Sequence, residues 1–85
     1  MKTFDYTIRD ENGIHARPAG KLVKKAGEFQ SEIKIVCGGK AADAKRIFSV
    51  MGLGVKQGDT IAVEAEGADE EAASEALLAL LRESL

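Results

Sequence analysis

The sequence holds one cysteine, one histidine, one proline, one tyrosine and no tryptophan in 85 residues. A lone thiol cannot form an intramolecular disulfide, which suits a reducing cytoplasm. One Cys and one His cannot supply the four ligands of a structural zinc site, so no metal is expected. No run of about 18 apolar residues exists, so no helix is expected to span a membrane. The first residues, Met1-Lys2-Thr3-Phe4-Asp5, lack the apolar stretch of a secretory signal. Excess charge is missing too, because 12 Lys and Arg against 14 Asp and Glu leave a net −2. That excludes a polybasic tail and a strongly acidic disordered chain. With 45% hydrophobic residues, the chain can bury a core as one small domain over 1–85.

Hydrophobic periodicity then divides the chain. Lys2–Ile8 alternates, with Phe4, Tyr6 and Ile8 on one side, and predicts a half-buried strand. Asn12-Gly13 marks a turn. The period then changes: Ala19, Leu22, Val23 and Ala26 form one face of a helix that begins near His15 or Ala16 and ends at Gly27. Pro18 fits only the first turn of that helix, where its missing N–H costs nothing. Glu32–Cys37 alternates again, Gly38-Gly39 signals a two-residue hairpin, and Lys40–Ala44 is the returning strand. Arg46–Leu53 is a short apolar helical segment closed by Gly52 and Gly54. Thr60–Ala65 is a fourth strand, and Asp69–Leu85 a long helix with Asp69, Glu70 and Glu71 in its first turn. The order βαββαβα with alternating strands predicts an α+β domain, its helices covering one face of a mostly antiparallel sheet.

The scarce His and Pro lie together, at His15 and Pro18. A helix start presents unpaired N–H groups and a partial positive charge. That end favours an uncharged, nucleophilic ring and welcomes an anion attached to it. Arg17 adds charge-assisted donors for phosphate oxygens. Taken singly, a His at a helix start also fits a cap, and an Arg a solvated charge. On a helical wheel, Arg17, Lys21, Lys24 and Lys25 cluster opposite the apolar face. Met1–Val63 carries 11 basic and 7 acidic residues, net +4, and Glu64–Leu85 carries 1 and 7, net −6. The near-neutral total therefore hides a basic half that holds His15, suited to an acidic partner surface. Ile47, Phe48, Val50, Met51 and Leu53 spread over roughly 220° of the wheel, more than one buried face needs. Two readings stay open for that segment, a tucked short helix and an apolar contact patch. Cys37 has no partner for redox chemistry beside it, and Ser49 and Ser74 have no adjacent base.

Gly13-Ile14-His15-Ala16-Arg17-Pro18-Ala19 resembles the active-site signature of the HPr family, the phosphocarriers of the bacterial phosphoenolpyruvate-dependent sugar phosphotransferase system. The resemblance extends over Gly39-Lys40, Lys45, Ile47-Phe48, Met51, Leu53-Gly54, Gln57-Gly58 and Glu66-Gly67-Ala68-Asp69-Glu70. It implies an open-faced β-sandwich, a four-stranded antiparallel sheet under three helices. It implies a carrier rather than a turnover enzyme, with His15 taking a phosphoryl group on Nδ1 from enzyme I and passing it to IIA domains. Arg17 and the backbone N–H groups of Ala16 and Arg17 would hold the phosphate. Lys21 and Lys24, with exposed Ile47, Phe48 and Met51 and the adjoining Leu53 and Gly54, would dock the partners. No cofactor, nucleic acid or membrane insertion is expected, regulatory proteins are expected as further partners, and a cytoplasmic monomer suits a shuttling carrier. Many relatives carry a regulatory serine where this sequence has Arg46, and a guanidinium cannot take its place. The runner-up is a non-catalytic regulatory or ligand-binding module of HPr-like or ferredoxin-like fold.

Overall fold

A computed structural model covers residues 1–85 and shows seven elements in the expected order. They are β1 (Lys2–Thr7), α1 (Ala16–Ala26), β2 (Glu32–Cys37), β3 (Lys40–Asp43), α2 (Ile47–Met51), β4 (Thr60–Glu66) and α3 (Glu70–Ser84). The strands form one antiparallel sheet in the order β1-β4-β2-β3. The last strand is thus inserted between β1 and β2. Pairing Phe4 with Val63, Ile35 with Val63 and Ile35 with Ala42 puts these apolar side chains on one face. Ile33, Ile35, Ile61, Val63 and Ala65 are buried there, while Thr3, Asp5, Glu32 and Lys34 face the other way.

The helices cover only the apolar face. Ala19, Leu22 and Ala26 of α1 and Ala73, Leu77 and Leu81 of α3 join the strand residues in one core. Each large aliphatic side chain buried this way stabilises by about 1.5–3 kcal/mol. The other face is open to solvent, with a Thr7–Thr60 hydroxyl bond of 2.8 Å on it. The molecule is therefore an open-faced α+β sandwich, as the resemblance implied.

Several boundaries move by a residue or two. Ile8 lies beyond β1, although its N–H still donates to Asp59 and its carbonyl accepts from Gly58. Ala44 lies beyond β3, its N–H donating to the Ile33 carbonyl at 2.9 Å. The segment 46–53 is regular only over α2, and Leu53 and Gly54 follow in tight turns onto Val50 and Met51. Gly38 and Gly39 both adopt positive φ, at 57° and 82°, the primed turn that a two-residue hairpin needs. Asp69 is not in the first turn of α3; it is the N-cap, and its carboxylate is used elsewhere. It accepts the Gln30 N–H at 2.8 Å, the Ser31 N–H at 2.9 Å and the Ser31 hydroxyl, stapling the loop before β2. The Ser31 hydroxyl, then the Gln30 amide, hold the Asp69 carboxyl below its ordinary range.

Candidate functional site

His15 is the N-cap of α1, in extended conformation, and its carbonyl accepts the first helical bond from the Ala19 N–H at 2.9 Å. Its ring makes no capping bond. Pro18 has no N–H, and those of Ala16 and Arg17 find no backbone acceptor. The first turn therefore leaves two amides free just beyond the ring. The His15 side chain is 42% exposed, open enough to meet another molecule.

The loop before α1 fixes this geometry from several sides. The Gly13 N–H donates to the Asp10 carbonyl at 2.9 Å, and the Asn12 N–H donates to the Asp10 Oδ1 at 2.8 Å. Gly13 has φ +65°, and a Cβ there would stand 2.2 Å from the Val55 carbonyl oxygen. The neighbouring Ile14 is buried, and its N–H donates to that same carbonyl at 3.2 Å. The chain that leaves α2 thus forms the floor of the loop that carries His15. The Arg9 and Asp10 N–H groups both donate to the Leu85 carbonyl oxygen, at 2.7 and 3.1 Å, tying the loop to the end of α3.

A shallow cleft gathers Asp10, His15, Arg17, Lys21, Glu83 and Ser84. Arg17, Lys21 and Lys24 are exposed and make no ion pair or side-chain hydrogen bond, so their charges are available to an anion. Lys25 is committed to Glu28, with Nζ 3.4 Å from Oε1. The two carboxylates of the cleft are additions that helical periodicity does not reveal. Asp10 comes from the preceding loop, with Oδ2 3.6 Å from His15 Nε2, and Glu83 from α3.

The apolar candidates are not in this cleft. They lie on α2, which packs against α1. Phe48 is 85% exposed and Met51 38%, a projecting apolar pair. Ile47 departs from the expected exposure: it is half-buried against the core, its Cδ1 beside Gly20 of α1. The packing of α2 on α1 thus covers part of this side chain. Leu53 is likewise half-buried, and Gly54 is exposed. The segment is thus divided, with Val50 buried in the core and Phe48 exposed to solvent. Arg46 is exposed at the start of α2, its Nε 3.7 Å from Asp43 Oδ2. No three His, Cys, Asp or Glu side chains converge as metal ligands, and Cys37 is half-buried against the core. No helix is long and apolar enough to cross a membrane.

Comparison with known proteins places this geometry among relatives. Residues 2–83 match the family PTS-HPr, described as the PTS HPr component phosphorylation site. The phosphocarrier protein HPr of Lysinibacillus sphaericus is 51% identical over 83 residues, covering 98% of this chain and 94% of that protein. The histidine-containing phosphocarrier protein of a Mycoplasma has a solved structure that superposes with a TM-score of 0.96. It is 35% identical and covers 98% of this chain and 94% of its own. The crystal structure of HPr-C-His from Thermoanaerobacter tengcongensis gives a TM-score of 0.92 at 41% identity, covering 96% and 92%.

Proposed function

The chain belongs to the HPr family, phosphocarriers of the bacterial phosphotransferase system, and from that premise we propose that His15 accepts a phosphoryl group from phosphorylated enzyme I and passes it to IIA domains. As a phosphocarrier it is not a turnover enzyme. The observation that carries the reading is a half-exposed imidazole at the start of α1, just before two unbonded amides. The Nδ1 lone pair attacks phosphorus in line with the departing imidazole of the donor. The phosphoryl oxygens settle against the Ala16 and Arg17 N–H groups and the positive end of α1. Arg17, unpaired in the free protein, closes on them with its guanidinium. Little covalent work falls to the protein, so positioning and electrostatics supply most of the effect.

The partners dock over α1 and α2. Phe48 and Met51 give an apolar anchor, Lys21 and Lys24 the surrounding positive charge, and Ile47, Leu53 and Gly54 the support beneath and beside them. Phe48 exposes far more apolar surface than folding requires, which favours an interface. Basic charge around His15 speeds encounter with an acidic partner. Residues 1–85 act as one domain, a cytoplasmic monomer that shuttles between enzyme I and the IIA domains. Arg46 excludes serine-directed regulation at its position and leaves a permanent positive charge there. A ferredoxin-like module that binds RNA is disfavoured by the open sheet face, where Thr3, Asp5, Glu32 and Lys34 offer no aromatic for stacking.

The test is phosphoryl transfer with enzyme I and phosphoenolpyruvate. The wild-type chain should acquire acid-labile phosphate, and His15→Ala should acquire none while keeping its fold. Acid-labile phosphate on the His15→Ala chain overturns the assignment.

A further inference from the structure

Asp10 is held on three sides. Its Oδ1 accepts the Asn12 N–H at 2.8 Å, its carbonyl accepts the Gly13 N–H at 2.9 Å, and its own N–H donates to the Leu85 carbonyl at 3.1 Å. Only Oδ2 is uncommitted, and it lies 3.6 Å from His15 Nε2. The Asp10 side chain is 26% exposed, so water screens it only in part. Arg17, Lys21 and Glu83 are the other charged side chains around the cleft, and Asp10 is the carboxylate within ion-pair distance of the ring. At this separation the contact is electrostatic and longer than a hydrogen bond. Contacts of this kind commonly tighten when the reacting partner docks.

A carboxylate accepts hydrogen bonds and donates none. The uncharged imidazole has one N–H and one lone pair, and a neighbouring group decides which nitrogen bears which. With Oδ2 beside Nε2, the hydrogen belongs on Nε2 and the lone pair on Nδ1. We propose that Asp10 is a positioning residue that selects this tautomer and so presents Nδ1 as the nucleophile, an inference that rests on the reading of His15 as the phosphoryl acceptor.

The transfer itself then balances. The donor is a phosphohistidine whose second ring nitrogen is protonated. The Nδ1 lone pair of His15 forms the new N–P bond as the donor's N–P bond breaks. The electron pair of the broken bond stays on the donor ring, which leaves as neutral imidazole. The His15 ring now carries the positive charge, with its hydrogen still on Nε2 and the Asp10 carboxylate facing it. The same carboxylate that orients the nucleophile thereby stabilises the charged product, and no proton has to move during the step.

Asparagine supplies a sharp test. In Asp10→Asn the amide oxygen is still required by the Asn12 N–H, which turns the NH₂ towards the ring. A donor opposite Nε2 draws the lone pair there and places the hydrogen on Nδ1, blocking the nucleophile. Asp10→Ser keeps an acceptor for the Asn12 N–H and removes the carboxylate, so it guards against a merely structural effect. Nitrogen-15 NMR of the labelled chain, at a pH where the ring is uncharged, reads the tautomer directly. The expected result is mainly Nε2–H in the wild type, mainly Nδ1–H in Asp10→Asn and a mixture in Asp10→Ser. Phosphoryl acceptance from phosphorylated enzyme I should slow about tenfold in Asp10→Asn and about twofold to fivefold in Asp10→Ser, following the competent fraction. The same tautomer in all three proteins, or equal acceptance rates, overturns the proposal. A wild-type chain that accepts nothing from phosphorylated enzyme I overturns instead the carrier reading, and the tautomer measurement still decides what Asp10 does to the ring.

Discussion

Gly13→Ala probes the seam between the loop that carries His15 and the chain that leaves α2. Two effects add at this position. An L-residue held at φ +65° costs about 1 kcal/mol of left-handed strain. The new Cβ would also stand 2.2 Å from the Val55 oxygen and 2.8 Å from the Lys56 Cα, both backbone atoms that cannot rotate aside. Relief requires the loop to lift from residues 55 and 56, which breaks the bond from the Ile14 N–H to the Val55 carbonyl. An N–H left unpaired beside a buried side chain costs about 1–3 kcal/mol. The sum is about 2–4 kcal/mol, which lowers the thermal midpoint of a domain this size by roughly 10–30 °C. Gly38→Ala is the matched control: its φ is +57°, yet a Cβ there meets nothing within 4 Å. Only the strain remains, so its midpoint should fall by roughly 4–8 °C. Circular dichroism melts of the two variants and the wild type decide the matter. Gly13→Ala should also shift the His15 amide resonance and slow phosphoryl acceptance, while Gly38→Ala leaves both unchanged. Equal midpoints for the two variants would refute the packing of Gly13 against Val55.

Three further outcomes follow from the same structure. Phe48→Ser removes an exposed ring and should change stability by no more than about 0.5 kcal/mol, yet raise the KM for transfer with enzyme I about tenfold, as for an interface anchor; steady-state kinetics beside a melt checks both. Lys24→Glu reverses an unpaired charge and should slow association with partners at low salt, an effect that stopped-flow traces should show fading at high ionic strength. The Asp69 carboxyl titrates below its ordinary range in the folded state, so the unfolded chain binds the proton first. This contribution to stability should be fully present above about pH 5 and be lost as the pH falls through the lowered value; Asp69→Asn should be less stable at neutral pH and show a flatter acid limb in urea titrations.

Most of the fold was legible because local signals agreed. Period-two alternation through Ile33, Ile35, Ile61 and Val63 marked strands whose one face is buried. The glycine pair at 38 and 39 marked the hairpin, and Pro18 limited where the first helix could begin. His15 at a helix start was readable from Pro18 and from the change of period at Ala19. Three features were not readable, each for a physical reason. Asp69 looks like a helix-start acid, and only the tertiary approach of residues 30 and 31 turns it into a staple. The resemblance implies an exposed Ile47, and only the packing of α2 on α1, with its Cδ1 beside Gly20, half-buries it. Asp10 reads as a polar loop residue, and the turn that aims it at His15 is held in part by the far end of the chain. Long-range neighbours decide all three, and helical or strand periodicity carries no record of them.

His15 is expected to carry the phosphoryl group on Nδ1. Phosphorus-31 NMR of the nitrogen-15-labelled chain, charged by enzyme I and phosphoenolpyruvate, tests it most directly. A single protein phosphorus resonance coupled to Nδ1 of His15 is expected, lost when an IIA domain is added. Coupling to Nε2, phosphorus on any other residue, or a chain that remains uncharged would contradict it.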